Sequence, residues 1–392
     1  MHISLPPSLL SFLTCFHVVA AITSYPNLFV DPNFFLNKAL WPKNTQLAED
    51  AIIQGAKDLA VQGPWAVTNK TILPPNNDTH TYYSWPPYAW PDCSKVGNKT
   101  VLTPEQIWVT CPYVTRDGEF NPDQHLVNNT GAFMALADTI FYNAVSWSIT
   151  GSDSYSKQVI TLFSTWFLNP NTYMKPNLNY AQTLRGPGVQ IGQHTGVLDL
   201  KCMAKIASGV LMLKLGKNSD WTVEIDNGMK NWLREYIVWM TTNTLALQER
   251  ASTNNHGTFY FNQLTALYLL ANDWAGANAT LQAYYSGIYQ NQILASGEQP
   301  FEAERTHPYH YRAYNLAGMI TMARLAGYIG WDTWSLPTKN NGTIQKATDY
   351  AMSFDPAASN ESYALNEMFY VVGDVASKFG DPSGKYKAFL AV

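Results

Sequence analysis

Residues 225–240, Ile225-Asp226-Asn227-Gly228-Met229-Lys230-Asn231-Trp232-Leu233-Arg234-Glu235-Tyr236-Ile237-Val238-Trp239-Met240, decide the fold class. Ile225, Met229, Trp232, Leu233, Tyr236, Ile237 and Met240 recur at steps of three and four, which lines them up on one face of an α-helix. Phe133, Leu136, Ile140, Phe141, Ala144 and Val145 repeat the pattern upstream. Further helical patterns cover residues 154–167, 195–215, 257–272, 276–292, 308–329, 343–354 and 362–379, with Gly, Pro and Asn at the breaks. No convincing series of period-two strands competes with them. Consecutive helices joined by polar loops predict an all-α chain of helical hairpins, an incomplete (α/α) toroid; a generic helical bundle gives the same pattern. No exact internal repeat is present.

The region from Ser24 to about Asn129 is different. It is rich in Pro, Asn and Tyr, and only Thr45 to Val61 reads as helix. The remainder predicts long ordered loops, which in compact domains carry function. Residues 25–392 are expected to form a single toroid domain, because helical hairpins of this number make one cooperative unit.

Composition narrows the function. Hydrophobic residues make up 46% of the 392 and charged residues 14%, enough apolar surface for a large core. The 13 Trp and 23 Tyr suggest platforms for sugar rings, although core packing must account for most of them. A net charge of −4 argues against nucleic acid, which requires a basic face. A polyanionic ligand would need cations gathered locally in a cleft. No stretch after the N-terminus reaches the roughly 18 apolar residues of a membrane span. Residues 1–24 read as a secretory signal, with an apolar run from Leu9 to Ala21 and small residues at Val19-Ala20-Ala21, although its start lacks Lys or Arg. Seven Asn-x-Ser/Thr sequons, at Asn69, Asn77, Asn98, Asn128, Asn278, Asn341 and Asn360, fit N-glycans on a secreted, extracellular protein. Cys93 and Cys111 lie in loop-like sequence and form a candidate disulfide; Cys202, in a helical pattern, reads as a buried free thiol, and Cys15 would leave with the signal. No Cys/His spacing suggests a metal site, and no cofactor is implied.

Four polar islands flank the helices. The first runs His80-Thr81-Tyr82-Tyr83-Ser84-Trp85-Pro86-Pro87-Tyr88-Ala89-Trp90-Pro91-Asp92, followed by Arg116-Asp117-Gly118-Glu119-Phe120-Asn121-Pro122. The second is Met174-Lys175-Pro176-Asn177-Leu178-Asn179-Tyr180-Ala181-Gln182, and the third is Asn254-Asn255-His256-Gly257. The fourth is Glu304-Arg305-Thr306-His307-Pro308-Tyr309-His310-Tyr311-Arg312. In this order the islands resemble the alginate-lyase-domain family, whose members are (α/α) toroid polysaccharide lyases acting on alginate and related polyuronates. The resemblance runs from about residue 80 to 320 and implies a secreted eukaryotic member, with a fungal source as the expectation.

The resemblance implies a set of roles. Asn255 and Arg305 would hold the substrate carboxylate, with Asn254 as helper and Arg312 or Arg250 as substitutes for Arg305. Tyr311 would be the catalytic tyrosine and His256 an orienting group or a second base. Substrate contacts are expected from His310, Arg116, Tyr83, Tyr88, Trp90, Asn179, Tyr180, Gln182 and His194. The chemistry independently asks for these residue types. Eliminating a 4-linked uronate removes the C5 proton, which is weakly acidic while the adjacent carboxylate is charged. The enzyme must neutralise that carboxylate, supply a base and protonate the departing O4. A tyrosine beside a cation can ionise below its usual pKa of about 10 and serve as that base. Plainer roles exist for each residue: Asn254-Asn255 as a helix N-cap, Tyr311 as an interfacial tyrosine, His310 as a packed histidine, Arg305 as an ion-pair partner of Glu302 or Glu304, and the aromatic residues as core. Two other functions compete. A glycoside hydrolase would need paired acids, for which Asp117, Glu302 and Glu304 are candidates. A non-catalytic glycan-binding protein would need the aromatic residues alone.

Overall fold

The computed structural model describes residues 27–96 and 101–391. The expected signal at 1–24 and the Asn98 sequon lie outside the described residues. In chain order the helices are α1 (Pro32–Leu36), α2 (Gln46–Ala60), α3 (Pro104–Thr110), α4 (Asn129–Thr150), α5 (Asp153–Phe167), α6 (Met203–Leu215), α7 (Val223–Thr242) and α8 (Thr244–Arg250). They continue with α9 (Asn255–Leu270), α10 (Trp274–Ser286), α11 (Tyr289–Gln292), α12 (Pro300–Ala303), α13 (Pro308–Tyr328), α14 (Ile344–Ala351), α15 (Glu367–Phe379) and α16 (Lys385–Leu390).

The long helices fall into two kinds. In α4, α6, α9 and α13 buried residues occur on every face, whereas α5, α7 and α15 bury one stripe only. A helix buried all round must sit inside a layer of one-sided helices. The contacts agree: α4 packs on α6, α6 on α9 and α9 on α13, while α5, α7, α10 and α15 lie against this inner row. Alternation of inner and outer helices along the chain is the signature of an open (α/α) toroid. The filling of this core is aromatic and aliphatic, with Trp166, Phe133, Phe163, Tyr236 and Tyr260 all fully buried. Each such side chain contributes about 1.5–3 kcal/mol on burial.

The inner helices also run in one direction. Lys205 pairs with Asp138, and four residues on Gly209 faces Ile140 and Ala144, so α6 and α4 are parallel. Val197 accepts from the Gln263 amide at 2.9 Å, and Leu270 O accepts from Lys214 at 3.1 Å, so the chain entering α6 runs with α9. Thr258 bonds Asn315 at 2.9 Å and Asn262 bonds Gly318 at 3.1 Å, aligning α9 with α13. All four inner helices therefore begin at the same rim.

Among the described residues no helix is long and apolar enough to cross a membrane. Cys93 and Cys111 are disulfide-bonded, and Cys202 is a buried free cysteine. The N-terminal region is more structured than the sequence predicts. Besides α2 it contains α1, α3 and a two-stranded antiparallel ribbon of β1 (Ala89–Pro91) and β2 (Tyr113–Thr115). These pieces are too short to show a period, and they form because the disulfide and the toroid rim hold them. Two expected helices are broken. The 195–215 pattern becomes a 3-10 turn over His194–Leu200 followed by α6, and the 276–292 pattern splits into α10 and α11 at Gly287.

Candidate active site

The site lies at the rim where α9 and α13 begin. Asn254 caps α9, its side-chain oxygen accepting the His256 N–H at 3.2 Å. The next residue, Asn255, is 1% exposed and is gripped by Glu302 of α12. One Glu302 oxygen accepts the Asn255 backbone N–H and the other accepts its Nδ2, both at 2.7 Å. A carboxylate takes only donors, so Glu302 dictates which end of the amide faces it. Burial pushes the Glu302 carboxyl up to about 7, against the pull of the Asn255 hydrogen bonds.

His256 is oriented by a second buried acid. Its Nδ1 lies 2.7 Å from one oxygen of Glu249, a fully buried residue of α8. The other Glu249 oxygen lies 2.6 Å from Nδ1 of His194. Burial works to raise the Glu249 carboxyl, but the hydrogen bonds from His194 and His256 outweigh it and hold it below the usual range. The same bond from Glu249 raises His194. A carboxylate on each Nδ1 fixes the proton there, and in the neutral ring Nε2 is then the acceptor.

Tyr311 enters from the first turns of α13 and is 5% exposed. The Arg305 guanidinium covers its ring at 3.7 Å from the centroid, and its hydroxyl lies 3.3 Å from that of Tyr88. Burial pushes the Tyr311 phenol well above its ordinary value, the Tyr88 hydroxyl adds to this, and Arg305 opposes it. The expectation of a readily ionised tyrosine therefore does not hold for the resting site. Burial outweighs the pull of Arg305, whose charge is moreover shared. It pairs with Asp117 rather than with Glu302 or Glu304, through Nη2 at 2.9 Å and Nε at 3.3 Å. Asp117 also accepts the Thr306 hydroxyl at 3.0 Å. The loop bringing Asp117 here turns at Gly118, where φ is +81° and a Cβ would lie 2.3 Å from His307 Nε2. Glu302 joins the two halves: its side chain holds Asn255 and its backbone oxygen accepts the Arg305 N–H at 3.2 Å.

Residues 66–362 match the family model described as alginate lyase. The chain belongs to the alginate lyase family. Its fold is similar to that of an alginate lyase from Bacteroides ovatus, with a TM-score of 0.79, 24% identity, and coverage of 92% of this chain and 93% of that one. It also aligns with alginate lyase A1-III from Sphingomonas species A1, at a TM-score of 0.48 and 12% identity over 84% of this chain and 87% of that one. A variant of alginate lyase A1-III complexed with a tetrasaccharide gives a TM-score of 0.47 and 13% identity, over 79% and 76% of the two chains. No curated protein matches the sequence.

The remaining expected site residues of this alginate lyase family member divide into two groups. Near Tyr311 lie Tyr88, and His310, whose ring meets that of Tyr311 edge-on at 4.8 Å while its Nδ1 lies 2.5 Å from Glu367. Arg116 donates its backbone N–H to Tyr88 and stacks over Trp90 at 5.2 Å, on the same loop as Asp117. Asn179 is exposed but farther along the surface, where it accepts from Trp239 at 2.8 Å in a groove of about 990 Å³ between α5 and α7. The other group is structural. Tyr83 is 3% exposed, accepts from Trp85 and packs in a small satellite core, against which Tyr180 leans. Gln182 is buried between Asp199 and Thr195 and has no open face. Arg312 is buried in a two-pronged pair with Glu298, at 2.7 and 2.8 Å, so it is not a substitute for Arg305. Three acids escaped the sequence reading as positioning groups: Glu249, Glu302 and Asp117. Glu249 sits between Gln248 and Arg250 and reads as polar surface; only the folded chain buries it.

Proposed function

We propose that the chain cleaves a β-1,4-linked polyuronate, alginate-like or glucuronan-like, by β-elimination. Family membership supports polysaccharide lyase activity. The observation that carries the finer reading is Glu302, which ties the amide of Asn255 to Arg305, stacked on Tyr311. Asn255 keeps one Nδ2 hydrogen beyond the one given to Glu302, and with the Arg305 guanidinium it neutralises the substrate carboxylate. The C5 proton passes to the base, its electron pair forms the C4–C5 double bond, the C4–O4 bond breaks, and O4 departs with a proton. The parallel inner helices support a polyanion here, because their positive ends all face this rim.

In this reading Tyr311 serves both C5 and O4 on the same face, the syn route suited to mannuronate or glucuronate; its place under Arg305 supports it. A second reading gives the base role to His256, with Tyr311 as the acid. The raised Tyr311 phenol and the Glu249-fixed His256 ring favour it. A hydrolase is disfavoured, because Asp117 is held by Arg305 and Thr306 and Glu302 by Asn255. A panel of defined mannuronan, guluronan and glucuronan read by ultraviolet absorbance tests the reaction. Elimination creates a conjugated double bond; new reducing ends without that absorbance would mean hydrolysis and end the proposal. His256→Ala separates the routes: it abolishes cleavage in the anti route, whereas the syn route through Tyr311 keeps measurable turnover.

Export with N-glycans belongs to the same proposal. The sequon residues Asn69, Asn77, Asn128, Asn278, Asn341 and Asn360 are all exposed. Treatment of the protein from a eukaryotic host with an N-glycosidase should lower its mass; an unchanged mass would refute glycosylation.

A further inference from the structure

We propose a second carboxylate-binding subsite beside the reacting one, with His194 as its contacting group and Glu249 as the positioning residue that sets His194 and His256 side by side. The proposal rests on the polyuronate reading. The two rings come from different elements, His194 at the start of a 3-10 turn and His256 in α9, yet they share one carboxylate. Their centroids are 6.4 Å apart, the scale of one sugar unit in an extended chain. Fixing both rings by Nδ1 on a fully buried acid leaves neither free to turn away. In a polyuronate each unit carries its own carboxylate, so a neighbour of the reacting unit needs its own cation.

The surroundings of His194 fit that ligand. Its side chain is 43% exposed and opens onto a cavity of about 360 Å³ bounded by Leu184, Ile191, Gln193, Leu245 and Gln248. Arg185 forms the wall of the same cavity, and no Asp or Glu lines it. Arg185 is 4% exposed and clasped between Trp85 and Tyr113, at 4.0 and 4.5 Å. Its Nη1 donates to Asp123 at 3.0 Å, while Nε and Nη2 have no hydrogen-bond partner. Its charge is shared with Asp123 in an ion pair at 3.0 Å and covered by the two rings, so it adds little to the cavity and the anion-binding charge falls to His194. The charged and titratable groups around His194 are thus Glu249 from α8, His256 from α9 and, across the cavity, the Arg185–Asp123 pair. Glu249 favours the imidazolium of His194, so an anion is held more tightly on the acid side of its titration.

Calorimetry with defined trimeric and pentameric uronates tests the subsite without turnover, using Tyr311→Phe protein with and without His194→Ala. The expected result at mildly acidic pH is that His194→Ala weakens the pentamer about tenfold or more and the trimer less than about threefold. The difference should shrink at alkaline pH. Equal weakening of both lengths, or no weakening of the pentamer, overturns the subsite. The positioning role is read by nitrogen-edited NMR of the imidazoles. Glu249→Gln leaves one acceptor for two rings, so at least one Nδ1–H signal should be lost and the titration of His194 should move to lower pH. Unchanged Nδ1–H signals and unchanged titration overturn that role. Wild-type protein that binds the pentamer with this pattern yet yields no conjugated product would sink the lyase reading alone.

Discussion

The hydroxyl of Tyr311 lies under Arg305 and against Tyr88, and its environment keeps the proton on. In both routes of the proposed mechanism that hydroxyl is the group assigned to protonate O4. Tyr311→Phe should lower kcat by about 10²–10⁴ while leaving KM within about threefold, because only proton transfer is lost. Initial rates by ultraviolet absorbance check this, and near-normal kcat would remove Tyr311 from the chemistry. Glu302 makes a separate prediction about stability. Burial pushes its folded pKa up to about 7 from the ordinary 4.5, so the folded state holds the proton more tightly. The stabilisation is fully present below 4.5 and is lost as pH rises to about 7, a difference on the order of 3 kcal/mol. Urea unfolding at pH 4.5 and 8 should show this decline in wild type and a smaller one in Glu302→Gln. Equal slopes in the two proteins would contradict it. At this scale the sequence made legible which side chains gather at the rim. Asn255, His256, Arg305 and Tyr311 were named by type and order, and the chain brings them into one connected cluster. The acids that orient them were not legible, because an acid's burial depends on which helices close over it.

Helix existence could be read wherever a stripe ran for several turns, as in α4, α7, α9 and α13. Reading failed where tertiary bonds reshaped a segment. Thr195 gives its hydroxyl to Gln182 and Val197 its carbonyl to Gln263, which tightens the approach to α6 into a 3-10 turn. Strands of three residues, such as those of the ribbon, have no period to detect. The start of α9 shows how little room an element can have. A Cβ on Gly257 would lie 2.1 Å from the Ser252 carbonyl and 2.7 Å from Ile288. Gly257→Ala must therefore displace the turn that presents Asn255 and His256. It should cost about 1–3 kcal/mol and reduce kcat/KM together with stability. Thermal melts and kinetics on the same preparation check this; an unchanged melt would mean that the backbone there is slack.

Across the whole molecule, the proposed function asks a mildly acidic protein to bind an acidic polymer, which makes attraction local. Arg305, Arg116 and the two histidines must act over short range. Raising salt shortens the screening length from about 10 Å at 0.1 M to about 3 Å at 1 M. KM for a polyuronate should rise steeply over this interval with kcat nearly constant, and a flat KM would argue for a neutral ligand. Consecutive helices were legible in the sequence and the toroid followed from the family resemblance, but the polarity of the inner row was not legible, since direction emerges only when that row packs. That polarity has a consequence for how such a protein can change. Among the described residues, one end of the toroid holds the starts of the inward helices and the connections leading into them, and the opposite end holds their return bends, partly covered by the N-terminal segment around α1. Exposed turns at the first end, unlike the tightly packed start of α9, can be recut to suit a different sugar acid while the helical layers stay in place, and insertions are better borne by those return bends that the N-terminal segment leaves open.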